Sequence, residues 1–289
     1  RQMCIRDRYQ EKECDGLISV GGGSAMDTAK GIKALLMTDI AHVRANQLPP
    51  EGKVSHLAIP GTAGTGAETT AVAVLYEDGQ KLSVDHPALL PDGVLLDGSL
   101  LDTLPEYHRK SCAMDALAQG IESWWAKKAT PGSRIHAERA IRGVLDNLTA
   151  YLQGDRKAQD EMLHAAYESG VAILTTRTTA AHAMSYQITK KLGAAHGHAC
   201  MLTLPHLWAH LAAQAEYQPM LTELAHILGG EKPMDGAVLL KGLLAVLELD
   251  KIPMPDDATL DMLAASVNPE RLGNHPEALT TAQLRAIYV

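Results

Sequence analysis

The stretch GLISVGGGSAMDTAK, residues 16–30, carries the clearest signal of the fold class of this chain. It opens with a short, mainly apolar and β-branched run, which is typical of a buried strand, and three glycines follow directly. Ala25, Ala29 and Ile32 then recur at helical spacing. We therefore predict a strand, a tight turn and a helix capped by Ser24. Such a turn can present backbone N–H groups to an anion, although the same pattern also fits a simple turn.

A second loop rich in glycine and threonine, GTAGTGAE, occupies residues 61–68. It follows the apolar run 54–60, which predicts the next strand and ends at Pro60. Further strands are predicted at 71–76 and 94–97. Because ligands of parallel sheets bind beyond the carboxyl ends of the strands, two such loops favour a nucleotide site over a flexible connection.

Composition limits the classes of function. The chain has 289 residues, and 26 Lys and Arg against 34 Asp and Glu give a net charge of −8, which argues against nucleic-acid binding. No apolar run approaches the ~18–20 residues of a membrane span. The four cysteines are scattered without a CxxC pattern, which argues against a disulfide framework or a structural zinc site. We expect a cytoplasmic protein without a membrane or nucleic-acid partner.

The character of the sequence changes after Pro105. Apolar residues recur at three- and four-residue spacing in five segments, which are 106–126, 133–152, 157–176, 206–229 and 236–248. We therefore predict an incomplete α/β nucleotide-binding domain over residues 1–104, followed by an all-α metal- and substrate-binding domain over 105–289. The first ten residues show no clear period, and we interpret them as non-native sequence or a frayed natural terminus. Both ends of the sequence look truncated.

The segment MDALAQGIES, residues 114–123, places polar groups on one face of a predicted helix. Asp115 and Gln119 are four residues apart and share that face. An aspartate in such an apolar setting is costly unless it is paired or coordinates a metal. The pattern alone leaves both a local ion pair and a metal site open.

Three histidines fall within HAMSYQITKKLGAAHGHA, residues 182–199. His182 lies in a predicted helix, and His196 and His198 flank Gly197 in a predicted loop. Imidazoles and one carboxylate are the usual ligands of a catalytic divalent metal, although a lone buried histidine is more often structural. Together with Asp115 they favour a metal, but the spacing alone does not show that they converge.

In order and spacing, these four segments resemble the signatures of the iron-containing (group III) alcohol dehydrogenases. The resemblance runs from about Asp15 to Val289. It implies the dehydroquinate synthase-like architecture of that family, with an N-terminal dinucleotide-binding domain, a C-terminal helical domain, and the metal and nicotinamide between them. The implied cofactors are NAD(P)H and a divalent metal, Fe²⁺ or Zn²⁺, the implied partner is a small aldehyde, and a homo-oligomer is an allowed state.

The resemblance assigns roles to individual residues. The implied cofactor-binding residues are Gly22, Gly23 and Ser24 in the pyrophosphate loop, Asp27 on the following helix, Thr62 and Thr65 in the cleft, and Lys81 near the ribose. The implied metal ligands are Asp115, His182 and His196, with Gln119 at a fourth position. The segment that would read the adenosine ribose is expected to be missing, so the choice between NADH and NADPH stays open.

Two positions depart from the family pattern. Gln119 stands where the family usually has a histidine, and an amide oxygen is a weaker ligand, so Gln119 is either a marginal ligand or lies outside the ligand set. Tyr186 stands where a histidine often faces the substrate, and we count it among the predicted catalytic residues. His198 and the cofactor ribose hydroxyl are the candidates for protonating the product alkoxide.

The variants DALAQGIESWWA, TTRTTAAHAMSY and KLSVDHPALLPD resemble the phosphonoacetaldehyde reductases within this family. This implies reduction of phosphonoacetaldehyde to 2-hydroxyethylphosphonate, with another small aldehyde, a non-catalytic remnant or a dehydroquinate synthase-like cyclase as alternatives. Arg177, among four threonines, precedes His182, and Lys190 and Lys191 follow it. A guanidinium suits bidentate binding of a phosphonate, but these cations also fit an ordinary solvated face.

Overall fold

The structure is a computed structural model, and it describes residues 2–50, 54–77, 80–250, 252 and 255–288. All described strands lie before residue 105, and most helices follow it. The N-terminal elements are α1 (Gln2–Glu11), β1 (Gly16–Gly21), α2 (Gly23–Met37), α3 (Ile40–Arg44), β2 (Ser55–Pro60), β3 (Val72–Glu77), β4 (Gln80–Asp85) and β5 (Gly93–Val94), with short 3-10 turns at Ala67–Thr69, Pro87–Leu89 and Gly98–Leu101.

The helical part is built around one buried helix. Its elements are α4 (Glu106–Trp125), α5 (Pro131–Leu152), α6 (Arg156–Thr176), α7 (Ala180–Leu192), α8 (His196–Ala212), α9 (Gln218–Leu228), α10 (Asp235–Val246), α11 (Asp257–Ala265), α12 (Pro269–Leu272) and α13 (Thr281–Ile287). Helix α4 packs against α5, α6 and α8. Small residues allow this close packing, since a Cβ atom on Gly120 would lie 2.9 Å from Cγ1 of Ile141 on α5. No helix in the described ranges is long and apolar enough to cross a membrane.

The sheet is parallel and small in the described part of the chain. Its strand order is β1-β2-β5, and Gly16 to Gly21 run in register with Ser55 to Pro60. The segment predicted as a strand at 71–76 is indeed a strand, but it pairs antiparallel with β4 in a separate hairpin. Only two residues separate β3 from β4, and so short a connection can join antiparallel strands but not parallel ones.

Several sequence-based element boundaries are wrong. The strand predicted at 94–97 ends at Val94, because the Asp97 side chain accepts a hydrogen bond from the backbone N–H of Ser99 and begins a 3-10 turn. The single helix predicted at 206–229 is two helices, because the apolar spacing continues through the break between α8 and α9.

The start of the chain also differs from its prediction. Residues 2–10 form most of α1, a helix that packs against α2. Its helical period is invisible in the sequence because most of its side chains are exposed and it has no apolar face to bury. The interpretation of these residues as non-native stays a prediction. Ser24 is not the N-cap of α2: the cap is Gly22, and Ser24 lies inside the first turn.

Candidate metal centre and cofactor cleft

Four side chains from three helices converge on one point. The carboxylate of Asp115, the imidazoles of His182 and His196 and the thiol of Cys200 each offer a donor atom, and these atoms all lie within 4.8 Å of one another. Oδ1 of Asp115 is 3.2 Å from Nε2 of His182 and 3.9 Å from Nε2 of His196. The structure thus brings together the three ligands implied by the resemblance and adds a fourth donor.

The convergence of these side chains depends on where helix α8 begins. His196 and His198 do not lie in a loop, as predicted, but in the first turn of α8. The sequence hides this start because Ala195, in the N-cap position, makes no side-chain cap, and Gly197 inside the first turn suggests a helix breaker. As a result His196 and Cys200, four residues apart, lie on one face of α8.

Gly197 sets the distance between α8 and α4. A Cβ atom at this position would lie 2.0 Å from the carbonyl oxygen of Ser111 and 2.6 Å from the backbone nitrogen of Asp115. Only glycine permits so close an approach of the two helix backbones. This close contact places the imidazole of His196 near the carboxylate of Asp115.

Glu122 orients His182. It lies on α4, one helical turn beyond Gln119, and its side chain is fully buried. Its Oε2 accepts a hydrogen bond from Nδ1 of His182, while Oε1 accepts from the backbone nitrogens of Thr179 (3.1 Å) and Ala181 (2.9 Å). With Nδ1 donating to a carboxylate, Nε2 of His182 carries the free lone pair toward Asp115.

Gln119 links the cluster of donor groups to the second glycine-rich loop. Its Nε2 donates to the carbonyl oxygen of Thr65 at 3.2 Å and lies 3.5 Å from Oδ1 of Asp115. Its Oε1 accepts from the hydroxyl of Ser169 at 2.8 Å. Gln119 therefore lies beside the cluster, at the predicted position, with its oxygen turned to Ser169.

The electrostatics of the cluster favour its anionic forms. Burial acts to raise the pKa of the Asp115 carboxyl, but the neighbouring His196 and His182 hold that pKa below its usual value. The same two imidazoles hold the pKa of the Cys200 thiol below its usual value against the opposing effect of burial. Carboxylate and thiolate are the forms that bind a metal cation.

The two glycine-rich loops meet at the carboxyl edge of the sheet. A Cβ atom on Gly22 would lie 3.2 Å from Cγ2 of Thr62, and one on Gly23 would lie 3.1 Å from Cγ2 of Thr65. Gly61 donates a backbone hydrogen bond to Gly21 at 2.8 Å, which fixes the two loops side by side. The predicted pyrophosphate loop and cleft threonines thus form one surface at the N-terminus of α2.

Comparison with known proteins agrees with this arrangement. Residues 3–98 match the family model for iron-containing alcohol dehydrogenase, and residues 110–289 match the model for the C-terminal part of the Fe-containing alcohol dehydrogenase family. The chain belongs to the iron-containing alcohol dehydrogenases. The family resemblance and the predicted fold class, an α/β nucleotide-binding domain followed by an all-α domain, are confirmed.

Individual relatives are moderately similar. Phosphonoacetaldehyde reductase of Streptomyces viridochromogenes is 36% identical over 67% of this chain and 52% of its own length. An alcohol dehydrogenase of Thermococcus barophilus is 30% identical over 78% of this chain and 61% of its own length. The chain therefore spans about half to three fifths of these two relatives. Sulfoacetaldehyde reductase from Bifidobacterium kashiwanohense, solved with NAD⁺, matches 99% of this chain and 78% of its own, with a TM-score of 0.90 at 26% identity.

The other predicted cofactor residues lie on the helix that follows the first glycine-rich loop or in the hairpin. Ser24 is exposed in the first turn of α2, and Asp27 is half-buried further along the same helix. The side chain of Lys81 lies outside the described part of the chain, so its predicted place near the ribose stays a prediction. The roles of these residues in this member of the family rest on the resemblance alone.

His198 points away from the cluster. Its Nε2 donates to the carbonyl oxygen of Leu249 at 2.7 Å, and its Nδ1 lies 3.0 Å from the hydroxyl of Tyr107. Burial lowers the pKa of this imidazole. Because both ring nitrogens are engaged, the geometry argues against the predicted proton route through His198.

Tyr186 lies beside the donor cluster, whereas the side chain of Arg177 contacts the hairpin. The ring of Tyr186 stacks on that of His196, with centroids 6.0 Å apart and an angle of 23° between the planes. Arg177 follows α6, and its Nη2 lies 2.6 Å from Oδ2 of Asp85 at the end of β4. Arg177 thus forms an ion pair between the helical domain and the hairpin.

Two of the four threonines around Arg177 are used inside the protein. The hydroxyl of Thr176 donates to backbone carbonyls and lies 3.1 Å from the hydroxyl of Ser123. The hydroxyl of Thr179 donates to Oε1 of Glu122 at 2.6 Å. These two hydroxyls therefore satisfy groups inside the protein and do not face a substrate.

Two residues of the site, Cys200 and Glu122, are not among those predicted from the sequence. Cys200 gave no signal as a lone cysteine outside any CxxC pattern, although its spacing of four from His196 places both on one helix face. Glu122 follows Asp115 by seven residues and lies on the same helix face, a pattern that could have been noticed.

A separate cavity of about 640 Å³ lies between the sheet and α6, and Glu68, Asp92, His164 and Tyr167 are among its lining residues. None of the four donor residues lines it. We therefore locate the chemistry by the donor groups and not by this cavity.

Proposed function

We propose that this chain forms the metal centre and cofactor cleft of an NAD(P)H-dependent oxidoreductase that reduces a small aldehyde to an alcohol. The observation that supports this most directly is the double contact of Gln119, which touches both the Thr65 carbonyl oxygen and the Asp115 carboxylate. One side chain thereby bridges the second glycine-rich loop, which contains Thr65, and the cluster of metal-binding side chains.

The residues present fit a divalent metal. Bonds of about 2.0–2.3 Å at tetrahedral angles separate neighbouring donor atoms by roughly 3.3–3.8 Å. The measured separations of Oδ1 of Asp115 from the two imidazoles, 3.2 and 3.9 Å, lie close to that range. When bound, the metal would polarise the substrate carbonyl as a Lewis acid and the reduced nicotinamide would supply the hydride.

The chain's own residues position these groups. Asp115, His182 and His196 would hold the metal, and Glu122 keeps His182 in the tautomer that offers Nε2. The His196 side chain keeps 39% of its surface exposed, so the cluster is open to a substrate on this side. Tyr186, stacked on His196, forms one wall of this opening.

The backbone around Gly22 and Gly23 would receive the pyrophosphate of the cofactor. The helix α2 begins at Gly23, and the first N–H groups of a helix have no partner within it. Together with the helix dipole they attract a phosphate. The small residues at these positions let a ligand approach the backbone closely.

For the substrate, we propose phosphonoacetaldehyde. Two relatives, the phosphonoacetaldehyde reductase and the sulfoacetaldehyde reductase, are named for aldehydes that carry an anionic group. Arg177 is the candidate partner of that group, since a guanidinium can engage two oxygens at once. Its present partner is Asp85, so an anionic substrate would compete with this carboxylate for the guanidinium.

Turnover assays test the proposal. The natural gene product that contains this sequence is loaded with Fe²⁺ or Zn²⁺ and assayed with phosphonoacetaldehyde, acetaldehyde and succinic semialdehyde, each with NADH and NADPH. We expect the highest kcat/KM on phosphonoacetaldehyde and none in the Asp115→Asn variant. A preference for an uncharged aldehyde would replace the substrate but keep the reaction. Full metal binding without turnover on any aldehyde would overturn the proposed activity and favour a non-catalytic role.

A further inference from the structure

We propose that the thiolate of Cys200 is the fourth protein ligand of this metal centre, in place of residue 119, and that it makes the site prefer Zn²⁺ to harder divalent ions. The inference rests on the metal centre of the proposed function but not on its substrate. It concerns how this chain compensates for the glutamine at a position where a histidine was expected.

The geometry supports Cys200 as a ligand. Its Sγ is buried and lies 4.0 Å from Nε2 of His196. It also lies within 4.8 Å of donor atoms of Asp115 and His182. A buried free cysteine normally behaves as a small apolar residue among other apolar residues. Cys200 instead lies against one carboxylate and two imidazoles, which are all metal-binding groups.

The local structure holds this thiol in place. Cys200 lies one helical turn after His196 on α8, so a single rigid element carries both donors. The contact of Gly197 with α4 fixes that element against Asp115. Donors on helices are placed more accurately than donors on loops, which favours a preformed ligand set.

Gln119 is a poor competitor for the fourth position. The carbonyl oxygen of Thr65 can only accept a hydrogen bond, so the amide group of Gln119 must turn its NH₂ toward it. That orientation directs the NH₂ toward Asp115 as well and leaves the amide oxygen with Ser169. An NH₂ group has no lone pair for a metal, and turning the amide over would place two oxygens against each other at Thr65.

A thiolate changes which metal the site prefers. Thiolate ligands suit Zn²⁺, whereas Mg²⁺ and Mn²⁺ favour sites made of oxygen donors. Carboxylate, imidazole and thiolate are all ligands that Zn²⁺ accepts, and expansion to five-coordination would leave a position for the substrate carbonyl beside these four donors. We therefore expect the chain to bind Zn²⁺ and Co²⁺ more tightly than Mn²⁺ or Mg²⁺.

Cobalt substitution tests the ligand directly. Metal-free protein is titrated with Co²⁺, because a thiolate bound to Co²⁺ gives a near-ultraviolet charge-transfer band that nitrogen and oxygen ligands do not give. We expect this band in the wild type and in Cys112→Ser, and we expect it to be lost in Cys200→Ser. Cys112 is the matched control, because it is a partly buried thiol three residues before Asp115 that is not part of the cluster.

Zinc affinity provides the second measurement. We expect Cys200→Ser to raise the Kd for Zn²⁺ at least tenfold, since even residues that only orient metal ligands contribute ten- to a hundredfold. Gln119→Ala should raise this Kd by less than Cys200→Ser does, since it removes a partner of Asp115 and not a ligand. Circular dichroism checks that each variant is folded. X-ray absorption of the zinc-loaded wild type, which needs no variant, should show one sulfur neighbour.

Any one of three results would overturn the inference. The first is a charge-transfer band that persists in Cys200→Ser, and the second is the absence of a sulfur neighbour in the X-ray absorption spectrum of the zinc-loaded wild type. The third is a larger loss of zinc affinity in Gln119→Ala than in Cys200→Ser. These results are independent of turnover. A protein with the sulfur ligand and no aldehyde reduction would refute the proposed activity alone, and an active protein without a sulfur ligand would refute this inference alone.

Discussion

One carboxylate oxygen of Glu122 accepts a hydrogen bond from Nδ1 of His182, and the other holds the N-terminal turn of α7, the helix that carries His182. A single fully buried side chain therefore fixes both the position of the helix and the tautomer of the imidazole. Partners of this kind are as much a part of a metal site as the ligands themselves, since they set ring orientation and basicity.

Replacing Glu122 by glutamine should weaken metal binding without removing a ligand. In Glu122→Gln the amide has one acceptor in place of two, so it cannot serve both the backbone of α7 and Nδ1 of His182. We expect the Kd for Zn²⁺ to rise roughly ten- to a hundredfold, measured by competition with a chelator. The matched control is Glu168→Gln, which removes the carboxylate that pairs with His136 outside the cluster. Equal affinity in both variants would show that Glu122 has no orienting role.

Adding one methyl group at Gly197 should disrupt the site and the fold together. In Gly197→Ala the new Cβ would clash with the backbone of Ser111 and Asp115, which would force α8 away from α4. We expect a loss of about 1–3 kcal/mol in the free energy of unfolding, together with weaker zinc binding. Urea unfolding and chelator competition measure the two effects.

Gly242→Ala is the control for Gly197→Ala. A Cβ at Gly242, in α10, meets nothing within 4 Å, so alanine should stabilise this helix by up to about 1 kcal/mol. If Gly197→Ala behaved like Gly242→Ala in both assays, the close approach of α4 and α8 would not be what positions His196.

His56 should make the protein less stable in acid. Its ring is buried in β2, Nε2 lies 2.8 Å from the hydroxyl of Ser19, and Nδ1 has no hydrogen-bond partner in the described part of the chain. Burial, with Lys33 and Lys30 nearby, lowers the pKa of this imidazole to about 4, against 6.5 for a free histidine. The folded state therefore takes up the proton later than the unfolded state, and stability is lost as the pH falls from 6.5 toward 4.

The size of this effect can be measured. At pH 5 the shift corresponds to a loss of up to about 2 kcal/mol relative to neutral pH. His56→Gln should reduce the slope of the unfolding free energy against pH between 6.5 and 4, as measured by urea unfolding at several pH values. The control His226→Gln removes an exposed imidazole and should alter the slope much less. An unchanged slope in His56→Gln would contradict the prediction.

Replacing either member of the ion pair between Arg177 and Asp85 should change KM for phosphonoacetaldehyde, in opposite directions. If Arg177 binds the anionic group of the substrate, Arg177→Ala should raise KM for phosphonoacetaldehyde about ten- to a hundredfold, the equivalent of roughly 1.5–3 kcal/mol for a charged hydrogen bond. Asp85→Asn removes the competing carboxylate and should lower that KM. Neither variant should change KM for acetaldehyde. Equal losses on both aldehydes would make Arg177 a structural residue.

Local patterns in the amino-acid sequence predict the order and type of the main elements of the fold. The apolar run before the three glycines, the helical spacing after Pro105 and the four ordered motifs depend on local period and on residue type, both of which are read directly from the chain. Asp115, His182 and His196 are named as metal ligands by the family resemblance, because the local pattern left a local ion pair and structural histidines open; their donor atoms do lie together in the structure.

Which side chains meet in the cluster depends on the packing of helices that are distant in the chain. Cys200 joins the cluster because Gly197 lets α8 approach α4, and His198, two residues after His196, turns instead to Leu249. Whether a side chain one turn along a helix faces a site depends on where the helix begins and what it packs against. Contacts between residues distant in the chain set both, and no local pattern in the sequence records them.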